Sequence, residues 1–161
     1  MRLTILLLLL SYLSYSQITY TNGDLQYQEV IQYPGQSKEQ VYNSVKKWIN
    51  ATYSNPKEVI SSDLKNEQIK GTGIGLHIIT FNALSKISLK YNFLIEIKEG
   101  KARVTYTSLH VLDSRYPFKA YTYKGSKQKT SKAAIRMTDE ANSYLSSLTK
   151  SMTVQPNNEN W

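Results

Sequence analysis

The feature that most constrains the fold is a run of alternation over residues 86–98. Ile87, Leu89, Tyr91, Phe93, Ile95 and Ile97 are apolar, and the residues between them are polar apart from Leu94. Successive side chains of a strand point to opposite faces, so the pattern predicts one long strand with a buried face and a wet face. A sheet solvated on one side is an antiparallel sheet, since parallel sheets are covered on both. Glu99-Gly100 is a turn signal leading into a second strand over 101–112. There Ala102, Val104 and Tyr106 share one phase while Leu109 and Val111 share the other, which predicts a bulge near Thr107-Ser108.

The remaining elements follow from periodicity and punctuation. Leu25, Tyr27, Val30, Ile31 and Tyr33 mark a strand over 25–33, broken by Pro34-Gly35. Ser37 and Gln40 form a capping box. Behind it Val41, Val45, Trp48, Ile49 and Thr52 fall on one helical face, and Asn55-Pro56 stops the run. A helix over 38–53 is expected, with Trp48 in the core. A short strand over 58–64, a turn at Lys65-Asn66-Glu67 and a long strand over 68–81 come next. The last element is a helix over 139–152, capped by Thr138, with Ala141, Tyr144, Leu145, Leu148 and Met152 as its apolar stripe. Two helical stripes and one buried sheet face give a two-layer α+β sandwich, with an antiparallel sheet, both helices on one face, and the order β-α-β-β-β-β-α.

The ends of the chain carry its address. Arg2, the apolar run 3–13 and the small residues Ser14 and Ser16 make a secretory signal over 1–16, cut between Ser16 and Gln17. The run has 11 positions, short of the roughly 20 apolar residues of a spanning helix, so the mature chain is expected to have no transmembrane segment. The 161 residues then divide into the signal, a single domain over 17–152 and a polar tail over 153–161. There is no Cys, which removes disulfides, thiolate metal sites and Cys nucleophiles, and leaves no lipid-attachment residue after the apolar run. An exported protein without disulfides points to the periplasm or cell envelope of a bacterium.

Several short motifs resemble one family. Pro34-Gly35-Gln36-Ser37-Lys38 opens the first helix, Val41-Tyr42 and Trp48-Ile49 lie within it, and Pro56-Lys57-Glu58-Val59-Ile60 follows. Gln68-Ile69-Lys70-Gly71-Thr72-Gly73 and the hairpin Glu99-Gly100-Lys101-Ala102-Arg103 continue the match. The chain is similar over residues 25–112 to the family of domain of unknown function 4468, exported bacterial proteins with a fold like that of the TATA-binding protein. The resemblance implies that fold and brings no catalytic residue with it. Fold does not fix function, and a secretory signal argues against a role on nucleic acid.

The candidate chemistry is sparse. Gly71, Gly73 and Gly75 lie in an alternating segment with no helix behind them, so they indicate a bent or bulged strand and not a phosphate cradle. His77 and His110 are the only imidazoles, without the further ligands a zinc site needs, so no metal and no cofactor are expected. No G-x-S-x-G elbow occurs and the carboxylates are scattered, which argues against an enzyme.

Segment 115–136 departs from the rest. It holds Arg115, Lys119, Lys124, Lys127, Lys129, Lys132 and Arg136 with no acid, and interleaves Tyr116, Phe118, Tyr121 and Tyr123. Without Arg2 and these seven, the chain has 12 basic and 12 acidic residues, so the segment accounts for the whole positive excess. Lys119, Tyr121, Tyr123, Lys124, Lys127, Lys129 and Lys132 are therefore candidates for an anionic partner, a lipid or glycan of the envelope. The competing reading is a solvated loop whose Tyr121 and Tyr123 add an edge strand guarded by lysines. The functional expectation is a non-enzymatic binding module. A carrier of a small apolar ligand between sheet and helices is the alternative, and a hydrolase comes third.

Overall fold

The computed structural model describes residues 17–82 and 85–153. The expected signal over 1–16, with Ser16, and the expected tail beyond Thr153 lie outside the described residues. The elements are β1 (Thr19–Thr21), β2 (Asp24–Gln32), α1 (Lys38–Thr52), α2 (Pro56–Val59), β3 (Ile60–Leu64), β4 (Gln68–Asn82), β5 (Ser85–Lys98) and β6 (Lys101–Val111). After these come α3 (Phe118–Thr122), β7 (Tyr123–Lys124), β8 (Lys127–Gln128), α4 (Lys132–Lys150) and a closing 3-10 turn (Ser151–Thr153). Six strands form one antiparallel sheet in the order β1-β2-β6-β5-β4-β3, and β7 and β8 form a separate small hairpin.

Local sequence explains most of these elements. Asn22 and Gly23 both take positive φ, the geometry of a two-residue turn between β1 and β2. Ser37 Oγ accepts from Gln40 N–H (3.3 Å) and the Gln40 side chain accepts from Ser37 N–H (2.8 Å), closing the capping box of α1. In β6, Thr107 pairs with Asn92 and His110 with Lys90, so one residue of β5 faces two of β6. This is the expected bulge, with Ser108 at φ 52°. A second bulge lies in β4 between Gly75 and Ile79, where His77 also has φ 52° and donates its N–H to Ser88 Oγ (3.0 Å).

Both long helices cover the same face of the sheet, with α1 on β5 and β6 and α4 on β4 and β2. One core cluster holds Val41, Val45, Trp48 and Ile49 of α1, Met137, Ala141 and Leu145 of α4, and the inward residues of the sheet. Trp48 is buried and its Nε1–H donates to Ser151 Oγ (2.8 Å), tying α1 to the end of α4. Rings form the centre of the interface. Tyr91 meets Tyr106 edge-on at 5.3 Å between centroids, and Tyr53 stacks on Phe93 at 6.0 Å. The glycines of β4 make room for these rings. A Cβ on Gly73 would sit 2.5 Å from the Tyr91 ring, and one on Gly75 2.6 Å from Tyr144.

Two expectations are corrected. The element order is richer than β-α-β-β-β-β-α, because β1, α2, α3 and the β7–β8 hairpin are added. The last helix starts at Lys132 with Ser131 as its cap, not at Asp139 behind Thr138. Thr138 is interior to that helix and buried, its hydroxyl donating to Ala134 O (3.0 Å), so the polar group that resembles a cap is satisfied within the helix. In β4, Ile74 and Leu76 face solvent, and the inward phase belongs to Ile69, the three glycines and Ile79.

Candidate functional site

Segment 115–136 is folded and not a single strand or loop. Phe118 is buried and anchors the one turn of α3 against β6 and α4. Tyr121 is half-buried, shares a hydrogen bond with Ser114 (2.7 Å between oxygens) and meets Phe81 edge-on. Tyr123 is half-buried and stacks on Tyr20 of β1, and burial raises its pKa. The expectation that Tyr121 and Tyr123 extend the main sheet is therefore corrected: one is helical and the other opens the separate β7–β8 hairpin.

The lysines divide into two groups. Lys119 donates to Gly23 O (2.7 Å) and lies 3.8 Å from the Asp24 carboxylate. Lys129 donates to Ala120 O (2.7 Å), and Lys129 N–H donates to Thr122 O (2.8 Å). These two hold the hairpin against the domain. Lys124 and Lys127 face each other across the Gly125-Ser126 turn and are exposed, and Lys132 is exposed in the first turn of α4. Arg115 and Tyr116 are exposed just before α3. The segment thus presents a cationic tip on a base held by aromatic contacts and lysine–carbonyl hydrogen bonds.

The histidines lie on strands flanking β5, near the two bulges, and both are exposed. Among the described residues no group of three or more His, Asp or Glu could hold a metal ion. His110, Ser108 and Asp113 line one open concavity with Lys90 and Asn92. Buried Tyr91 and half-buried Tyr53 and Tyr144 form a relay of hydroxyls instead. Tyr91 is 3.2 Å from both Tyr53 and Tyr144, and burial raises the pKa of all three, Tyr53 to about 12.

A second cationic group was not apparent from the linear sequence. Lys98 and Lys101 are cross-strand neighbours at the β5–β6 turn, and with Arg103, Glu96 and Val30 they line a dish of about 140 Å³ on the face of the sheet away from the helices. Arg103 makes a two-bond fork with Glu96 (2.7 and 2.6 Å), which holds the Glu96 carboxyl below its usual pKa and the guanidinium above its own.

The family described as domain of unknown function (DUF4468) with TBP-like fold matches residues 27–111. Two solved structures share the architecture. A DUF4468 family protein from Bacteroides ovatus superposes with a TM-score of 0.66 at 16% identity, covering 92% of this chain and 95% of its own. A TBP-like protein from Parabacteroides distasonis gives 0.65 at 14% identity, over 82% and 92% of the two chains. At such identities the likeness is one of fold. Among curated proteins none matches.

Proposed function

The chain belongs to the DUF4468 family with its TBP-like fold, and from that premise we propose that it is an exported, non-enzymatic binding module of the bacterial cell envelope, acting through segment 115–136. The observation that carries the reading is the pairing of Lys124 with Lys127 at an exposed hairpin tip, in a stretch of seven cations and no acid. Lys132 and Arg115 add exposed charge, and Tyr116, 63% exposed, supplies an amphipathic ring next to them. A cation near an anionic leaflet contributes about 1 kcal/mol, so several together give binding that salt screens. Lys119, Lys129, Tyr121 and Tyr123 position the tip and lose no freedom on docking, which lowers the entropic cost of binding.

The carrier alternative loses support from the packing: Tyr27, Tyr91, Tyr106 and Phe118 are fully buried where an apolar ligand would sit. Among the described residues no helix is long and apolar enough to cross a membrane, so contact with lipid would be peripheral as far as helices are concerned. The test is co-sedimentation of the chain from Gln17 onward with anionic and neutral vesicles at low and physiological salt. Wild type should bind the anionic vesicles at low salt and lose most binding at physiological salt. A variant with Lys124, Lys127 and Lys132 as Gln should stay in the supernatant. Equal sedimentation of the two proteins, or none of wild type, would overturn the membrane role, and acidic glycans would be the next class to try.

A further inference from the structure

With Arg2 set aside, the 12 bases and 12 acids outside segment 115–136 balance in number but not in space. Alternation and register place Lys70, Lys90, Lys98, Lys101 and Arg103 on the sheet face that none of the described helices covers, and all five are exposed. Among the outward positions of β3 to β6 and of the β2 residues paired with β6, the single acid is Glu96, already forked to Arg103. Of the other acids, Asp63 accepts from Tyr42 and Lys46 on the helix side, Glu29 shares the inward phase with Tyr27, and Asp113, just past β6, lines a concavity with Lys90 at the opposite end of the β5–β6 pair from the dish.

We propose that this open face is a docking surface for an acidic, glutamate-rich polypeptide segment, with the dish around Val30, Lys98, Lys101 and Arg103 as its anchor. The lining fits a glutamate side chain. Val30, 48% exposed, is an apolar wall for the two methylenes, and Lys98 and Lys101 present ammonium groups to the carboxylate. Beyond the dish, Leu94 is flanked by Thr105 on β6 and Lys70 on β4, so a segment lying across the strands meets alternating aliphatic and polar contacts with a further cation. The outward positions of β3 to β6 and of the paired β2 residues carry no Phe, Tyr or Trp, and the imidazole of His110 lies beside Lys90 at the opposite end of the β5–β6 pair from the dish, so the face lacks the succession of rings on which single-stranded nucleic acid stacks. Charge complementarity over a flat, preformed sheet therefore selects a carboxylate-bearing chain. The surface is distinct from the 115–136 hairpin, and the inference stands whether or not that hairpin meets a membrane.

The probe is fluorescein-labelled oligoglutamate, titrated by anisotropy against the chain from Gln17 onward, with polygalacturonate and phosphatidylglycerol vesicles as the other arms. Wild type should bind the peptide at low salt. The double variant Lys98→Gln, Lys101→Gln should weaken binding by roughly tenfold, the loss expected for two solvent-exposed ion pairs. Val30→Ser, which leaves the charge intact, should weaken it by roughly threefold through lost apolar contact. The hairpin variant should bind the peptide as wild type does, and matching thermal melts would show that each variant is folded. An equal loss in the hairpin variant, no loss in the double variant, or no binding by wild type would overturn the proposal. Tighter binding of polygalacturonate than of peptide, or vesicle binding abolished by the double variant alone, would overturn it in favour of a glycan or a lipid.

Discussion

The two faces of one sheet are built from the same strands and differ in almost every physical respect. On the covered face, Tyr27, Tyr91 and Tyr106 are fully buried and touch ring to ring, and Tyr144 closes over Gly75. On the open face, the central positions are Thr105 bonded to Gln28, Thr72 bonded to Asn92, and the Arg103–Glu96 fork, with cations around them. Burial of aromatic area stabilises the first face. The second makes polar pairs that water would satisfy nearly as well, so it contributes little to stability and is free to carry function. The same change at adjacent residues of one strand should therefore have very different consequences.

The largest expected contrast is with pH. Tyr33 and Tyr53 keep their protons to about 12, against an ordinary value of 10.0, because burial disfavours the phenolate. Tyr91, Tyr106 and Tyr144 are raised in the same direction by the same cause. Above pH 10 the unfolded chain loses protons that the folded chain retains, so the unfolded state is favoured progressively. This contribution to stability is complete below pH 10 and is lost as pH climbs through 12. Melts recorded across that window should show a steep fall in melting temperature ending in unfolding, with phenolate absorbance rising together with loss of structure. Tyrosine titration near pH 10 with no loss of structure would mean that the rings are not sealed under the helices.

The second contrast uses neighbouring residues of β4. Gly73→Val places a branched side chain where even a Cβ lies 2.5 Å from the Tyr91 ring. Overpacking of this kind costs about 1–3 kcal/mol and sometimes more. Thr72→Val, one position along and outward, removes only the hydrogen bond to Asn92 (3.0 Å) and should stay within about 0.5 kcal/mol of wild type. Urea denaturation of the two variants measures the difference directly. Similar midpoints would show that the interface near Gly73 yields more readily than its close contacts imply.

The covered face was more legible in the sequence than the open one, for a physical reason. Hydrophobic periodicity is local, so β5, β6, the bulge near Ser108 and α1 with its Ser37–Gln40 box could be read from short windows. The start of α4 could not, because Thr138-Asp139-Glu140 has the composition of a helix N-terminus while Ser131, the true cap, is followed by a lysine. The aromatic residues of segment 115–136 pointed outward as a ligand surface, yet Tyr121 and Tyr123 serve mainly to seat the hairpin. The basic open face was hidden because charge was counted along the chain, where acids on turns and helices balance the strand lysines. One signal for it was available. The two-residue turn Glu99-Gly100 fixes Lys98 opposite Lys101 and Glu96 opposite Arg103, so the cluster follows once the hairpin register is written out.

The smallest expected effect on stability lies at that cluster, and its sign differs between folding and binding. The Glu96–Arg103 fork is an exposed pair, with side-chain exposures of 33% and 47%. Such pairs contribute little, because water solvates both partners in the unfolded chain and salt screens them in the folded one. The hydrogen bond from Arg103 lowers the Glu96 pKa from 4.5, so what the pair contributes is present above that value and is lost as pH falls through the lowered one. Glu96→Gln should accordingly leave the melting temperature at neutral pH within about 3 °C of wild type and flatten its acid dependence slightly. The same variant removes the one acid among the outward positions of β3 to β6 and releases Arg103 toward the dish, so its affinity for oligoglutamate should rise by roughly threefold. A substitution that costs little in stability and strengthens binding would separate the open face from the covered one more sharply than any loss of function. Unchanged or weaker binding by Glu96→Gln would mean that the carboxylate organises the dish and that Arg103 is useful only while it is held.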